Sequence, residues 1–330
     1  MSATAWRVLR PGALTTVQDG GRHGWRHLGV ARAGALDPDL AALANRLVGN
    51  PPGVAVLELT FNGPTLTLPA PARIALCGAA MTATLEDADG TRHVVPPGRP
   101  VTVPAGLLRL GSMGHGLRAW LAVAGGFDVP AVLGSHSTDL RGGFGGLDGR
   151  ALRAGDLLRV GNLDLGDAVV DDLDAPLAPG WWIDLDADVP PDAPIRYVPS
   201  ALPIAAALAS HAWTVDPRSD RQGLRCAGDA LVAELPEQVS AAVAPGTVQL
   251  PPDGHPIVLL ADAQTVGGYP RLGHVIAADL PRLAQRRAGD ALRFVAVTRD
   301  EARAAWAQRT ARIARLEWAI DLAIARETAP

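Results

Sequence analysis

A mainly β fold with a few helices, arranged as two β-rich domains, is what this sequence predicts. Three observations carry that prediction. Gly 36 and Pro 28 in 330 residues favour many short strands joined by tight turns over a helical bundle. Short apolar runs with β-branched members recur along the chain, each closed by Pro and Gly pairs such as Pro96-Pro97-Gly98. The length exceeds what one small core needs, so two domains are expected.

In chain order, Val8 to Gln18 reads as a strand interrupted at Pro11-Gly12, followed by a Gly- and Arg-rich loop, Asp19 to Gly29. The first helix has both ends marked: Asp37 as N-cap, Pro38 at its first position, Gly49 just past its end. Leu40, Leu43, Leu47 and Val48 share one face, which should pack on a sheet. From Ala55 to Val160 the pattern is all β, with strands expected at Val56–Leu59, Thr65–Leu68, Arg73–Leu76, Met81–Leu85, His93–Val95, Arg99–Val103, Leu107–Leu110, Leu117–Val123 and Leu157–Val160.

The segment 164–192 carries nine aspartates and no basic residue, the composition of a solvated crossover. The expected division is therefore an N-terminal β domain over 1–163, an acidic Pro-rich linker over 164–195, a C-terminal β domain over 196–298 and a helix over 299–330. In the second half, Ala201 to His211 reads as a helix capped by Ser200, and Ile257 to Ala261 as a buried strand. Val275 to Ala277 and Ala291 to Val297 read as strands, with one or two helical turns at Leu280 to Arg287. Thr298-Arg-Asp-Glu301 has the form of a capping box. Trp306, Ile313 and Ile320 then recur every seven residues, so a long helix should end near Glu327 with that stripe as its packing face.

The halves echo each other. Arg22-x-Gly24-x-Arg26-x-x-Gly29 recurs as Arg221-x-Gly223-x-Arg225-x-x-Gly228, and Arg153-Ala-Gly-Asp-Leu-Leu-Arg159 as Arg287-Ala-Gly-Asp-Ala-Leu-Arg293. Equivalent loops in two related domains would explain both pairs.

Composition removes several functions. The net charge of −4, without a basic run, disfavours a nucleic-acid surface. No apolar segment approaches the ~20 residues of a membrane span, and MSATAWRVLRPG lacks the apolar core of a signal peptide, so a cytoplasmic protein is expected. The chain has no lysine, which excludes a Walker A loop, a Schiff-base enzyme and a biotin-carrying lysine together. Histidines 23 and 27 lie in a loop, no HExxH occurs, and no metal site is expected. No G-x-S-x-G elbow is present, and Gly134-Ser-His-Ser-Thr-Asp139 reads as a hydrogen-bonding loop.

Arginine, carboxylate and amide chemistry on loops remains. Gln18, Asp19 and Arg22 follow a strand, and Arg221 with Gln222 should occupy the equivalent loop of the second half. The arginine forks suit a pair of carboxylate or phosphate oxygens; alternatively, each ties its loop to a nearby carboxylate. The stretch Ala261-Asp262-Ala263-Gln264-Thr265-Val266-Gly267-Gly268-Tyr269-Pro270 follows the Pro251-Pro252-Asp253-Gly254 turn and a buried strand. Asp262, Gln264, Thr265, Gly267 and Gly268 are the candidate catalytic groups, the glycine amides serving as an oxyanion hole. Gln18, Asp19, Arg22, Arg221, Gln222, Asp253 and Tyr269 are the candidate substrate contacts.

The text from 251 to 294, PPDGHPIVLLADAQTVGGYPRLGHVIAADLPRLAQRRAGDALRF, resembles the C-terminal signature of the 5-oxoprolinase C-subunit family. That family is also called KipA-like, or biotin-dependent carboxyltransferase/allophanate hydrolase subunit 2. LRPGALTTVQDGGRHGWRHLGV (9–30), GALDPDLAALANRLVGN (34–50), LAVAGGFDVPAVLGSHSTDLRGG (121–143) and SDRQGLR (219–225) extend the resemblance over roughly residues 6–298, in the family's order. Two departures occur: Ala33 where the family commonly has Ser, and Gln222 where Met is commoner. The resemblance implies tandem cyclophilin-like β-barrel domains and a cleft completed by a partner protein. It implies a component of an ATP-dependent 5-oxoprolinase, a hetero-oligomer with relatives of that enzyme's A and B subunits, the latter KipI-like, with ATP bound by the assembled complex. It leaves two alternatives open: the carboxyltransferase component of a biotin-dependent urea or amide carboxylase, and a regulator binding a KipI-like kinase inhibitor.

Overall fold

Pro11 and Gly12 split the first β run in two, because Gly12 has φ of +76° and a Cβ there would lie 2.7 Å from the Asn62 carbonyl oxygen. The computed structural model describes residues 4–161, 173–184, 192–232 and 238–327. By contacts the chain divides into two units. The first comprises Met1–Gly21, Pro38–Ala187 and Ala314–Pro330; the second comprises Arg22–Asp37 and Asp188–Ile313. The Gly/Arg loop that follows the first hairpin therefore groups with the second unit, and the C-terminal helix is divided between the two. Most of the acidic segment lies outside the described residues. Its described stretch 173–184 belongs with the first unit, where Ile183 donates its N–H to Gly98 O at 2.8 Å and Leu177 pairs with Thr102.

Among the described residues the first unit has eleven strands: β1 (Thr4–Arg10), β2 (Leu14–Gln18), β3 (Val56–Thr60), β4 (Thr65–Leu68), β5 (Ala72–Gly78), β6 (Met81–Glu86), β7 (Arg92–Val94), β8 (Val101–Val103), β9 (Gly106–Met113), β10 (Arg118–Val123) and β11 (Leu157–Val160). They form a six-stranded sheet, β11-β1-β4-β9-β6-β7, and a five-stranded sheet, β2-β3-β10-β5-β8, in antiparallel pairings. Alternate side chains of both sheets meet in one core: Trp6 and Val8 from β1, Leu57 and Leu59 from β3, Leu66 and Leu68 from β4, Ile74 and Leu76 from β5. Trp6 meets Phe127 edge to face at 5.9 Å. The helix Pro38–Leu47 buries Leu43 and Leu47 against β5 and β10, as its apolar face predicts.

Among the described residues the second unit has ten strands: β12 (Ile195–Pro199), β13 (Trp213–Val215), β14 (Gly223–Ala227), β15 (Ala241–Ala242), β16 (Thr247–Gln249), β17 (Ile257–Leu259), β18 (Val266–Gly267), β19 (Arg271–Val275), β20 (Ala291–Leu292) and β21 (Phe294–Ala296). Eight make one sheet in the order β20-β13-β14-β17-β16-β19-β12-β21, and β15 with β18 makes a separate ribbon. Only Arg293 separates β20 from β21, yet these two strands occupy opposite ends of that order. The sheet must therefore curl on itself, and it does so into a nearly closed barrel. Tyr197, Trp213, Leu224, Val248, Val258, Leu272 and Phe294 fill the interior. The Tyr197 hydroxyl donates to Ala205 O at 2.8 Å and the Trp213 indole N–H to Leu208 O at 3.0 Å, so neither polar tip is buried without a partner.

Several elements differ from the sequence reading. The expected strand at Ala291 to Val297 is two strands, and that at Val275 to Ala277 ends at Val275, having begun at Arg271. Ala201 to His211 forms a 3-10 turn, Pro203–Ala206, and then a single α turn, Ala207–Ser210. Pro203 cannot donate an N–H and Leu202 before it is extended, which delays the start. The C-terminal helix, Arg299–Glu327, has the reciprocal capping box: Thr298 N donates to Glu301 Oε2 at 2.7 Å, and Glu301 N to Thr298 Oγ1 at 3.2 Å. Its packing side, however, is centred on Ala305 and Ile320, while Trp306 is 48% exposed. Among the described residues no helix is long and apolar enough to cross a membrane.

One of the two internal echoes is structural. Arg153 N donates to the Asp156 carboxylate at 2.7 Å, Gly155 N reaches Val8 O at 2.8 Å, and β11 follows. Arg287 N donates to the Asp290 carboxylate at 2.7 Å, Gly289 N reaches Val215 O at 2.8 Å, and β20 follows. The Gly/Arg echo is not: Arg22 follows β2 and leads into a 3-10 turn, Arg26–Leu28, whereas Arg221 leads directly into β14. These arginines do not occupy equivalent loops.

Candidate functional site

β17 runs through the barrel wall beside β14 and β16, and its exit sets the site. Leu260 N donates to Gln222 O at 2.9 Å and Asp262 N to Arg221 O at 3.0 Å, so the exit is zipped to the approach of β14. The side chains then lock: Arg221 Nε and Nη2 donate to the two Asp262 carboxylate oxygens at 2.9 Å each. Arg221 is 3% and Asp262 2% exposed, and Arg221 Nη2 also donates to Gly34 O at 2.6 Å. The fork is thus spent on holding the loop, the second of the two roles left open for it.

Past Asp262 the chain turns at Gln264 and enters the ribbon, where Gly267 pairs with Ala241 and Val266 with Ala242. This brings Gln264, Gly267, Gly268 and Tyr269 into the lining of a cavity of about 720 Å³, whose described lining residues all belong to the second unit. The Pro251-Pro252-Asp253-Gly254 turn lines the same cavity, and Leu231 and Gln238 contribute from the segments on either side of 233–237. Gln249, at the end of β16, supplies a buried polar group to the lining. It is 2% exposed, accepts a hydrogen bond from Gln264 Nε2 at 3.3 Å, and its own Nε2 has no protein acceptor. Gly267 must be a glycine for Gln249 to sit there, since a Cβ would lie 2.5 Å from that Nε2. Glycine here serves close approach, with no need of a positive φ. The cavity lining among the described residues carries one ionisable carboxylate, Asp253, and no arginine or histidine. The described lining thus combines the Gln249 donor and the Asp253 acceptor with apolar surface from Leu250, Pro251 and Tyr269.

The structure therefore gathers Asp253, Gln264, Gly267, Gly268 and Tyr269 from the predicted set. Asp262, Thr265, Arg221 and Gln222 lie in the same unit outside the lining, Thr265 being buried with its carbonyl accepting from Val243 N at 3.0 Å. Arg22 is buried in the second unit, with its N–H bonded to Arg32 O at 2.7 Å. Gln18 and Asp19 belong to the first unit. Gln18 ends β2, its Nε2 donating to Thr16 Oγ1 at 3.0 Å. Asp19 is the hub of the predicted hydrogen-bonding loop: it accepts from Ser135 Oγ at 2.6 Å, Ser137 Oγ at 2.5 Å, His136 N at 2.6 Å and Gly21 N at 2.8 Å. Burial alone would raise its pKa, but these donors outweigh it and hold the carboxyl below its ordinary range. Gln249 and Gln238 are absent from the sequence-based set. The only signal for Gln249 was its place just before the Pro-Pro turn.

Residues 28–296 match the family described as "Carboxyltransferase domain, subdomain A and B". The chain is 39% identical over 298 residues to the 5-oxoprolinase C subunit of Escherichia coli (strain K12), covering 90% of this chain and 92% of that protein. It is 36% identical over 306 residues to the protein of the same name from Haemophilus influenzae, covering 89% and 92%. The solved Kluyveromyces lactis urea carboxylase superposes with a TM-score of 0.80 at 29% identity, over 96% of this chain and 29% of that one. With the match spanning sequence from both units and nearly the whole of two curated relatives, the chain belongs to the carboxyltransferase domain, subdomain A and B, family.

Proposed function

We propose that this chain is the C-type component of an ATP-dependent 5-oxoprolinase, working with relatives of the A and B subunits (the latter KipI-like) to hydrolyse 5-oxo-L-proline to L-glutamate in the cytoplasm. The observation that carries this reading is the 39% identity that runs through 92% of the E. coli C subunit. The cavity suits the substrate's reacting part. A lactam presents one carbonyl oxygen and one N–H on a small apolar ring; Gln249 Nε2 is a donor without a protein acceptor, Asp253 is an acceptor, and Leu250, Pro251 and Tyr269 offer apolar contact. Gln264 and Gly267 fix the orientation of Gln249 in this reading.

ATP fits this cavity poorly, since no cationic side chain lines it among the described residues. We assign ATP to the assembled complex, whose other subunits would hold its phosphates against the lactam oxygen and supply its phosphorylation, with ADP leaving. Water then adds to the activated carbon, the ring C–N bond breaks, and phosphate departs to leave glutamate. In this reading the present chain binds and orients the lactam, and the described lining of its cavity pairs no nucleophile with a base. Asp262 acts through the loop it anchors, because its carboxylate is held by Arg221.

The test is to purify the chain by itself and with its A-type and B-type partners, then follow glutamate and ADP. The full complex should release ADP only when 5-oxoproline is present, and the isolated chain should be inactive. A complex without 5-oxoproline-dependent ADP release removes the assignment, and an isolated chain matching the complex removes the shared-site reading. The likeness to urea carboxylase favours one second reading, carboxyl transfer from carboxybiotin to an amide. It requires a biotinylated carrier on another chain, as this one has no lysine. Carboxylation of an amide by this chain with a biotin carboxylase and carrier would select it.

A further inference from the structure

The Gly/Arg loop of residues 22–37 carries charge that the structure leaves uncompensated. It lies along the β17 exit: Ala33 N donates to Ala261 O at 3.1 Å, and Arg26 Nη2 donates to Val243 O at 2.6 Å and Gln264 O at 3.2 Å. Arg32, one residue before Ala33, is half-buried beside the same exit. Its charge is near enough to Arg26 to act against it; burial, and then this repulsion, lower the Arg26 pKa, and burial lowers that of Arg32.

Neither guanidinium has a carboxylate within salt-bridge distance among the described residues. Arg26 Nη1 and Arg32 Nε are buried N–H groups with no acceptor. Arg73, Arg99, Arg109 and Arg118 also have a buried N–H outside any bond, but each has compensation. Arg109 and Arg118 pair with Glu86 and Glu58, Arg73 is drawn to Glu327, and Arg99 lies over the Trp182 ring at 5.1 Å. The one carboxylate of the β17 exit, Asp262, is taken by Arg221. Two like charges held together, partly desolvated and with idle donors, are costly unless an anion completes them.

We propose that Arg26 and Arg32 form a binding site for a small oxyanion, a carboxylate or an inorganic phosphate, next to the Gln264 wall of the cavity. The idle Arg26 Nη1 and Arg32 Nε would each give one charge-assisted donor to an oxygen of such a group. Because Arg26 also holds the Gln264 carbonyl, occupancy would stiffen the segment that positions the cavity wall. The proposal stands on the loop's own charge balance and is independent of the lactam assignment.

The test is direct binding to the full chain, without turnover. Inorganic phosphate and acetate are each titrated by calorimetry at ionic strength held constant with chloride, against wild type, Arg32→Gln and Arg26→Gln. Saturable binding of either anion is expected in the wild type, and which of them binds identifies the source of the oxyanion. Each substitution removes a charge-assisted hydrogen bond worth about 1.5–3 kcal/mol, so the dissociation constant should rise about tenfold or more. Circular dichroism checks the fold; if one variant does not fold, the other carries the same reading. Absence of saturable binding by both anions in the wild type, or a folded variant that binds as tightly as wild type, overturns the proposal.

Discussion

Replacing Gly267 by alanine tests the cavity at its tightest point. The added Cβ would lie 2.5 Å from Gln249 Nε2 and 3.6 Å from Gln264 Nε2, with no backbone atom among the near neighbours. An ordinary contact begins near 3.4 Å, so the Gln249 carboxamide must withdraw by about 0.9 Å, a displacement of the size that costs about 10²-fold in rate when it misplaces a reacting group. The carboxamide can withdraw without disturbing the sheet, so thermal stability should change little. In the assembled complex, kcat/KM for 5-oxoproline should fall about 10²-fold with the melting temperature kept within a few degrees. The double variant Gly267→Ala/Gln249→Ala should be no worse than Gln249→Ala alone, since there is then no carboxamide to displace. Unchanged kinetics in Gly267→Ala, or losses that add fully in the double variant, would refute the role given to Gln249.

Gly268→Val should lower turnover of the complex while leaving a folded chain, because even a Cβ would sit 3.2 Å from Ser240 Oγ and 3.5 Å from Gln238 O; equal loss of folding and turnover would make the glycine purely structural. Arg221→Ala should destabilise by about 3–5 kcal/mol in urea unfolding, since it leaves the buried Asp262 carboxylate without its countercharge. Asp19→Asn should cost about 1–3 kcal/mol at neutral pH, because an amide cannot accept from all four donors that Asp19 serves. The Asp19 pKa is lower in the folded chain than in the unfolded one. Its stabilisation is therefore complete above the unfolded value of about 4 and is lost as pH falls through the lower folded value, so Asp19→Asn should flatten the acid limb of the stability profile.

Local chemistry was legible in the sequence wherever a residue type fixes the backbone. Pro11-Gly12, the Pro38 start and Gly49 stop of the first helix, and the Thr298 capping box all read directly. What was not legible depends on partners distant in sequence. The break at Arg293 has no breaker residue; it arises because the strands on either side pair with different neighbours, β13 and β12. Trp306 has the right heptad spacing but loses the packing side to Ala305, a smaller residue that allows closer approach. At the candidate site, the Pro-Pro-Asp turn and the Gly-Gly-Tyr segment were readable because turn residues stand out. Gln249 was not, since Thr247-Val248-Gln249 is buried at every position and a polar residue in a strand reads as facing water. Arg221 and Arg22 drew attention for their chemistry, yet a buried arginine can be spent wholly on its own loop.

Closing the second barrel through Arg293 has a consequence for how the chain comes to be folded. β21 pairs in parallel with β12, joining Ile195 to Phe294 and Tyr197 to Ala296, nearly a hundred residues apart. Until Phe294 to Ala296 are available, β12 presents on that side a row of unpaired amides and carbonyls flanked by Tyr197, the kind of exposed edge that recruits other chains. Ring closure of this order is slow because the loop entropy must be surrendered before the pairing repays it. A ribosome-bound chain that has passed β12 but not β21 is thus the species most in need of protection, and the same short strand that completes the barrel ends that exposure.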